Sequence, residues 1–273
     1  MTNLLKADFK RVFKDKMLLV VGILAVVFSV ITPVLYALLF SGMDDSLVEL
    51  GLLVNAKGMF FDSFVPGNNL GLIAPVLLAI VLWKDFGQGT VRNKLVSGYS
   101  RTSIVLSMYT VCLTVLFVVM LLHALLSLGI GRLFFPYQGY PFTWADFGYF
   151  MASLGLELLV YLFMAALVCW LCAVSKNVGL VIVGYVAILM GLTMVASILQ
   201  ICELALSVDE GHKTALKIIE FLNGINVFNS SMMIGKGTTY EAKDLLYHII
   251  PPAVGTAALL GHGLLKFNRK DLK

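Results

Sequence analysis

Residues 84–102 read KDFGQGTVRNKLVSGYSRT. This is the one long polar, basic segment held between two strongly apolar runs, LIAPVLLAIVLW at 72–83 and the run that begins at Ser103. It sets Lys84, Arg92, Lys94 and Arg101 against a single carboxylate, Asp85, and Gly87, Gly89 and Gly98 mark its turns. Within it the spacing predicts a short helix over 90–97. Thr90 stands at the N-cap position, Val91 and Leu95 fall at i and i+4 on one face, and Ser97-Gly98 ends the turn. A short cationic helix fixed between two membrane spans suits docking by another protein, whereas an ordinary positive-inside loop explains the same charges.

The surrounding sequence is that of a membrane protein. Hydrophobic residues make up 59% of the chain and charged residues 13%, where a soluble domain carries about a quarter charged. The expected fold class is an all-α integral membrane protein, one domain over 1–273. It has six transmembrane helices, an interfacial helix over 1–16, a cytoplasmic segment over 84–102 and an outer segment over 203–244. Residues 17–40 carry no charge for 24 positions, about 36 Å of helix against a hydrocarbon core of about 30 Å. This first span is too long for a signal peptide, and Pro33 is expected to kink it.

Span two is the difficult one. Its apolar run is short and interrupted by Pro75, so the helix must start earlier, near Met59-Phe60-Phe61, or continue past Trp83. Span three lies within 103–131 and span four within 147–175. Only Lys176-Asn177 separates span four from span five at 178–202, which makes those two an antiparallel hairpin. Span six covers 245–265, interrupted by Pro251-Pro252, and a basic tail follows.

Upstream of span one, Leu5, Phe9, Val12 and Phe13 share a face opposite Lys6, Lys10, Arg11 and Lys14, the pattern of a helix lying on anionic headgroups. In the outer segment Lys213, Lys217 and Glu220 share a face with Leu216, Ile219 and Leu222 opposite, an amphipathic helix lying on or dipping into the leaflet, or a plain surface helix with the same pattern. Lys and Arg concentrate in the N-terminus, the 84–102 segment and the tail, and acidic residues in 41–69 and 203–244. That asymmetry places both termini in the cytoplasm.

Motifs of soluble chemistry are missing from the sequence. It contains no HExxH, no GxSxG and no GxxxxGK[ST] phosphate loop, so ATP, if it drives this protein, binds another polypeptide. Cys169 and Cys172 form a CxxC without a second pair, a spacing that packing explains in an apolar run. Glu157 is the one carboxylate inside a span and therefore a candidate functional group; snorkelling, or a His or Arg partner near the interface, explains it equally. His123, His248 and His262 stand singly in or at their spans.

The run DFGQGTVRNKLVSGYSRTSIVLS at 85–107, following LIAPVLLAIVLWK, resembles the junction between the second and third spans of bacterial ABC-2 type permeases. That class exports bacteriocins, drugs and amphipathic toxin peptides, among them phenol-soluble modulins and lantibiotics, or confers immunity to them. LLKADFKRVFKDK at 4–16 is similar to the family's membrane-entering start. The resemblance extends over the whole chain in layout but is confined in motif to these quoted runs, and family members often carry Glu where Asp85 stands.

It implies a dimeric permease of the bacterial plasma membrane, paired with separate ABC ATP-binding subunits that hold the ATP and magnesium. Asp85, Thr90, Val91, Arg92, Asn93, Lys94 and Leu95 would then form the coupling helix region seated on the ATPase. Leu5, Phe9 and Phe13 would anchor the interfacial helix, 203–244 would be a re-entrant outer gate, and the cargo would be an amphipathic peptide or hydrophobic drug. No cofactor of its own and no nucleic-acid partner is expected. The alternatives are a non-transporting membrane protein, such as an intramembrane enzyme or immunity component, and an ion-coupled transporter built on Glu157.

Overall fold

A computed structural model of the chain describes residues 2–40, 56–134, 143–207, 213–236 and 239–269. Among them every regular element is a helix. In chain order these are α1 (Thr2–Lys14), α2 (Lys16–Phe40), α3 (Ala56–Asp62), α4 (Asn69–Gly87), α5 (Thr90–Val96), α6 (Arg101–Phe134), α7 (Trp144–Val174), α8 (Val178–Ser207), α9 (Lys213–Ile225), α10 (Val227–Met233) and α11 (Ala242–Asn268). Six of them, α2, α4, α6, α7, α8 and α11, are long and apolar enough to cross a membrane. This is a multi-pass membrane protein.

The six spans coincide with the six apolar runs and extend beyond most of them. Span two resolves into α4, which continues past Trp83 to Gly87. Met59, Phe60 and Phe61 do not extend it; they lie on the separate helix α3, with Phe60 fully buried. Pro33, Pro75 and Pro251-Pro252 sit inside helices that run on through them. Most of the 41–69 stretch expected outside the membrane is either in α3 or outside the described residues.

The centre of the bundle is α7, two-thirds of whose spanning window is buried, against about a fifth for α2, α8 and α11. Its small and medium side chains, Ala165, Ala166, Val168 and Cys172, are covered by neighbouring helices. Inside a bilayer the lipid is as apolar as the core, so contact of this kind holds helices together through close packing and not through water exclusion. Along α11, Gly255 faces the ring of Phe163, and a Cβ there would stand 2.7 Å from it. The peripheral faces of α2 and α8 expose Leu19, Ile23, Val183 and Met194, the apolar surface that acyl chains cover.

Two ends can be distinguished. At one, α1, α5, the start of α6 and the end of α11 meet; Arg101 Nη1 donates to the carbonyls of Phe267 at 2.5 Å and Asn268 at 3.2 Å, satisfying acceptors that the last turn of α11 leaves open. At the other, α3, α9 and α10 cover the ends of α6 and α8 and the starts of α7 and α11.

Candidate functional site

The first end carries α5, the helix expected from the 84–102 stretch. Gly89, at φ 72°, occupies the N-cap position. Thr90 is therefore the first helical residue and not the cap, because the chain needs a left-handed residue to turn out of α4 and glycine adopts it without steric cost. The stop is as read: Ser97 caps, Gly98 takes φ 88°, and the Gly98 and Tyr99 amides return to Leu95 and Lys94 carbonyls. Ser100 Oγ then accepts from the Ser103 amide at 3.2 Å and caps α6.

An ion network anchors this knob from beneath. Lys94 Nζ stands 2.7 Å from Asp8 Oδ1 on α1 and 3.0 Å from Asp85 Oδ2 on α4. Ser107 Oγ on α6 donates to the other Asp8 oxygen at 2.7 Å. Arg11 Nη1 reaches 2.7 Å from Asp85 Oδ1 without the alignment of a hydrogen bond, and donates to the Val81 carbonyl at 3.4 Å. Two carboxylates thus meet two cations at the junction of four helices, with Asp8 and Asp85 both buried. At the rim Lys84 Nζ pairs with Asp15 Oδ2 at 2.6 Å. Burial pushes the Asp15 carboxyl up, but the Lys84 ammonium and the Met17 amide outweigh it and hold it below the ordinary range.

The network divides the predicted docking residues. Asp85, wholly buried, and Lys94, nine-tenths buried, face inward and are not available to a partner. Val91 is buried and Leu95 packs on the same core, so the apolar face of α5 is closed by its own bundle and not left for another protein. Thr90 is half-buried, while Arg92, Asn93 and Val96 point outward. Val96, at 82% exposure, is the apolar residue that the helical spacing did not single out.

A similar correction applies to α1. The face turned to the protein is Leu4, Asp8 and Val12. Leu5 and Phe9 are partly buried against the core, and Phe13 is two-thirds exposed. The i, i+4, i+8 spacing of Leu4, Asp8 and Val12 was the available signal, with an acid standing in an apolar stripe.

At the other end Glu157, fully buried on α7, neither snorkels nor meets a His or Arg among the described residues. Ser231 Oγ of α10 donates to both its oxygens, at 3.1 and 3.4 Å. The three histidines have neutral partners. His123 Nδ1 lies 2.8 Å from Ser29 Oγ, His248 Nδ1 2.5 Å from Ser230 Oγ, and His262 Nδ1 accepts from Trp170 Nε1 at 2.7 Å. Among the described residues no three His, Cys, Asp or Glu gather as metal ligands.

In front of Ser230 and His248 opens a polar cavity of about 460 Å³, enclosed by the ends of α7, α8 and α11 and by α9 and α10. On α9 the outward residues are Ile218, Phe221, Leu222 and Ile225. Glu220 turns inward to Lys243, at 3.3 Å, so it does not share the exposed side of Lys213 and Lys217. A smaller cavity, about 140 Å³, lies between α2, α3, α4 and α6 beside Asp62 and Ser127. Burial raises the Asp62 carboxyl and the facing Lys236 counters it; burial likewise lowers buried Lys57, with Asp146 opposing.

From Ser63 to Lys273 the sequence matches the profile of a family described as Protein of unknown function (DUF2705). The chain belongs to the DUF2705 family. The match takes in five of the six spans, α5, Glu157 and the larger, polar cavity; α1, α2 and α3 precede it. No curated protein and no solved structure matches this DUF2705 chain.

Proposed function

We propose that this DUF2705 protein is the permease subunit of an ATP-driven exporter of the ABC-2 type, moving amphipathic peptides or hydrophobic drugs. It acts in the bacterial plasma membrane with both termini in the cytoplasm, as a dimer of this chain or with a close homologue. The observation that carries the reading is α5: a helix between two spans, fixed from beneath by buried ion pairs and presenting Arg92, Asn93 and Val96 outward. A loop whose charges only set topology needs no such anchor. A knob that transmits force does, since the ion network ties it to α1, α4 and α6 so that the four elements move together. With no phosphate loop in the sequence, ATP and magnesium belong, on this reading, to a separate subunit seated on α5, and α9 with α10 forms the re-entrant outer gate.

The test is affinity purification of the chain from its native membrane. An ATP-binding subunit recovered at about one to one supports the reading; recovery of the chain with no nucleotide-binding partner, under conditions that keep known membrane complexes intact, overturns it.

A further inference from the structure

On the wall of the polar cavity, where α8, α9 and α10 meet, three side-chain amides form one chain of hydrogen bonds. Gln200 Nε2 donates to Asn229 Oδ1 at 2.6 Å, Asn229 Nδ2 to the Asn223 carbonyl at 3.1 Å, and Asn223 Nδ2 to Glu203 Oε2 at 2.9 Å. Because a carboxylate only accepts, Glu203 fixes which way the Asn223 amide points. Each of these amides thus spends a donor within the wall, and acceptors remain. Asn223 is 4% exposed and lines the cavity, and its Oδ1 has no hydrogen-bond partner among the described residues. A buried carbonyl oxygen without a donor requires an explanation, and a donor-bearing ligand in the cavity supplies one.

The charges point the same way. Of the cavity's cations, Lys243 is matched by Glu220 at 3.3 Å, and Lys236 is exposed, with no carboxylate within salt-bridge distance among the described residues. Asp244 sits in the first turn of α11, where the helix dipole favours an acid. Glu203 has no cation within salt-bridge distance among the described residues. Tyr240 and Tyr247 also line the cavity, Tyr240 stacked on Tyr149 and Tyr247 lying under the Lys243 ammonium.

We propose that this cavity binds a primary ammonium group carried by an amphipathic molecule. An ammonium has three donors and no acceptor, which suits Glu203 and the Asn223 oxygen. An anion would meet Glu203 unfavourably. The apolar part of the guest has its own surface next door, since α9 exposes Ile218, Phe221 and Ile225. A lysine-bearing amphipathic helix can place an amine in the cavity and its apolar face along α9. This names the cargo chemistry of the exporter proposed above and rests on that reading for transport, though not for binding.

The experiment uses the purified full chain in phosphatidylcholine nanodiscs, with no ATPase, and a labelled lysine-rich amphipathic peptide beside its fully acetylated twin. Acetylation and Glu203→Gln should each weaken binding about tenfold or more, the loss of one charge-assisted hydrogen bond. Glu241→Gln, exposed and outside the cavity, should stay within about twofold. Gln at 203 still accepts from Asn223, so the variant is expected to fold; if it does not, the acetylated peptide decides. Equal affinity of the twin, or an unchanged Glu203→Gln, overturns the proposal. Weaker peptide binding in phosphatidylethanolamine discs assigns the site to the lipid amine, and unchanged binding assigns it to the peptide; both uphold an ammonium site. Failure of an ATPase to co-purify leaves these measurements intact, so the two readings fail separately.

Discussion

Lys94, in the middle of α5, places its ammonium 2.7 Å from the carboxylate of Asp8, a residue of the N-terminal helix far away in sequence. Together with Asp85 at 3.0 Å, that contact makes α5 part of the bundle and not an appendage. Removing one member of a buried ion cluster leaves uncompensated charge, typically at a cost of about 3–5 kcal/mol. Lys94→Met leaves Asp8 without a cation and Asp85 with Arg11 alone, so it should lower the melting temperature in detergent sharply. The double variant Asp8→Asn with Lys94→Met should recover part of the loss. If Lys94→Met melts as the parent does, the network does not hold α5.

Docking should depend on the other side of the same helix. Arg92→Ala, Asn93→Ala and Val96→Asp alter exposed positions, where substitutions usually change stability by less than about 0.5 kcal/mol. Each should leave the melting temperature in place while reducing ATPase co-purification, Val96→Asp most strongly. A drop in melting temperature that tracks any loss of partner would show the effect to be one of folding.

The spans were legible because about 20 consecutive uncharged residues have few fates, and α5 was legible because its charges and glycines interrupt two such runs. Which residues of α5 face out was not. Arg92, Asn93 and Lys94 are equivalent by composition, and Lys94 is taken inward by an acid on α1 and another on α4. Pairing of that kind depends on tertiary approach and leaves no local signal, except that Asp8 stands in register with Leu4 and Val12. The polar cavity was less legible still. Glu203, Asn223 and Asn229 lie in a stretch that reads as polar loop and helix, and only the folding of α9 and α10 over α8 lines them up.

The closeness of α7 and α11 makes a second structural test. A Cβ on Gly255 would stand 2.7 Å from the Phe163 ring, whereas one on Gly261 would meet nothing within 4 Å. Gly255→Ala forces the ring or the helix to shift, an overpacking cost of about 1–3 kcal/mol. Gly261→Ala gains only helix propensity, up to about 1 kcal/mol. Thermal unfolding of the two variants should move in opposite directions. Equal shifts would mean that α11 does not approach α7 at Gly255.

Glu157 separates ATP-driven from ion-coupled transport. Its carboxyl is fully buried on α7, and the hydroxyl of Ser231 is its hydrogen-bond partner, an arrangement that glutamine reproduces by accepting the same bond through its amide oxygen. If the carboxyl serves only to join α7 to α10, Glu157→Gln should keep its melting temperature and its export rate, because no step requires a proton or cation there. If the group carries an ion, the same variant keeps its fold and loses transport, along with any dependence of transport on the membrane pH gradient. Export measured in sealed vesicles with ATP supplied, with and without that gradient, distinguishes the two. An exporter that runs on ATP alone should be indifferent to both the substitution and the gradient.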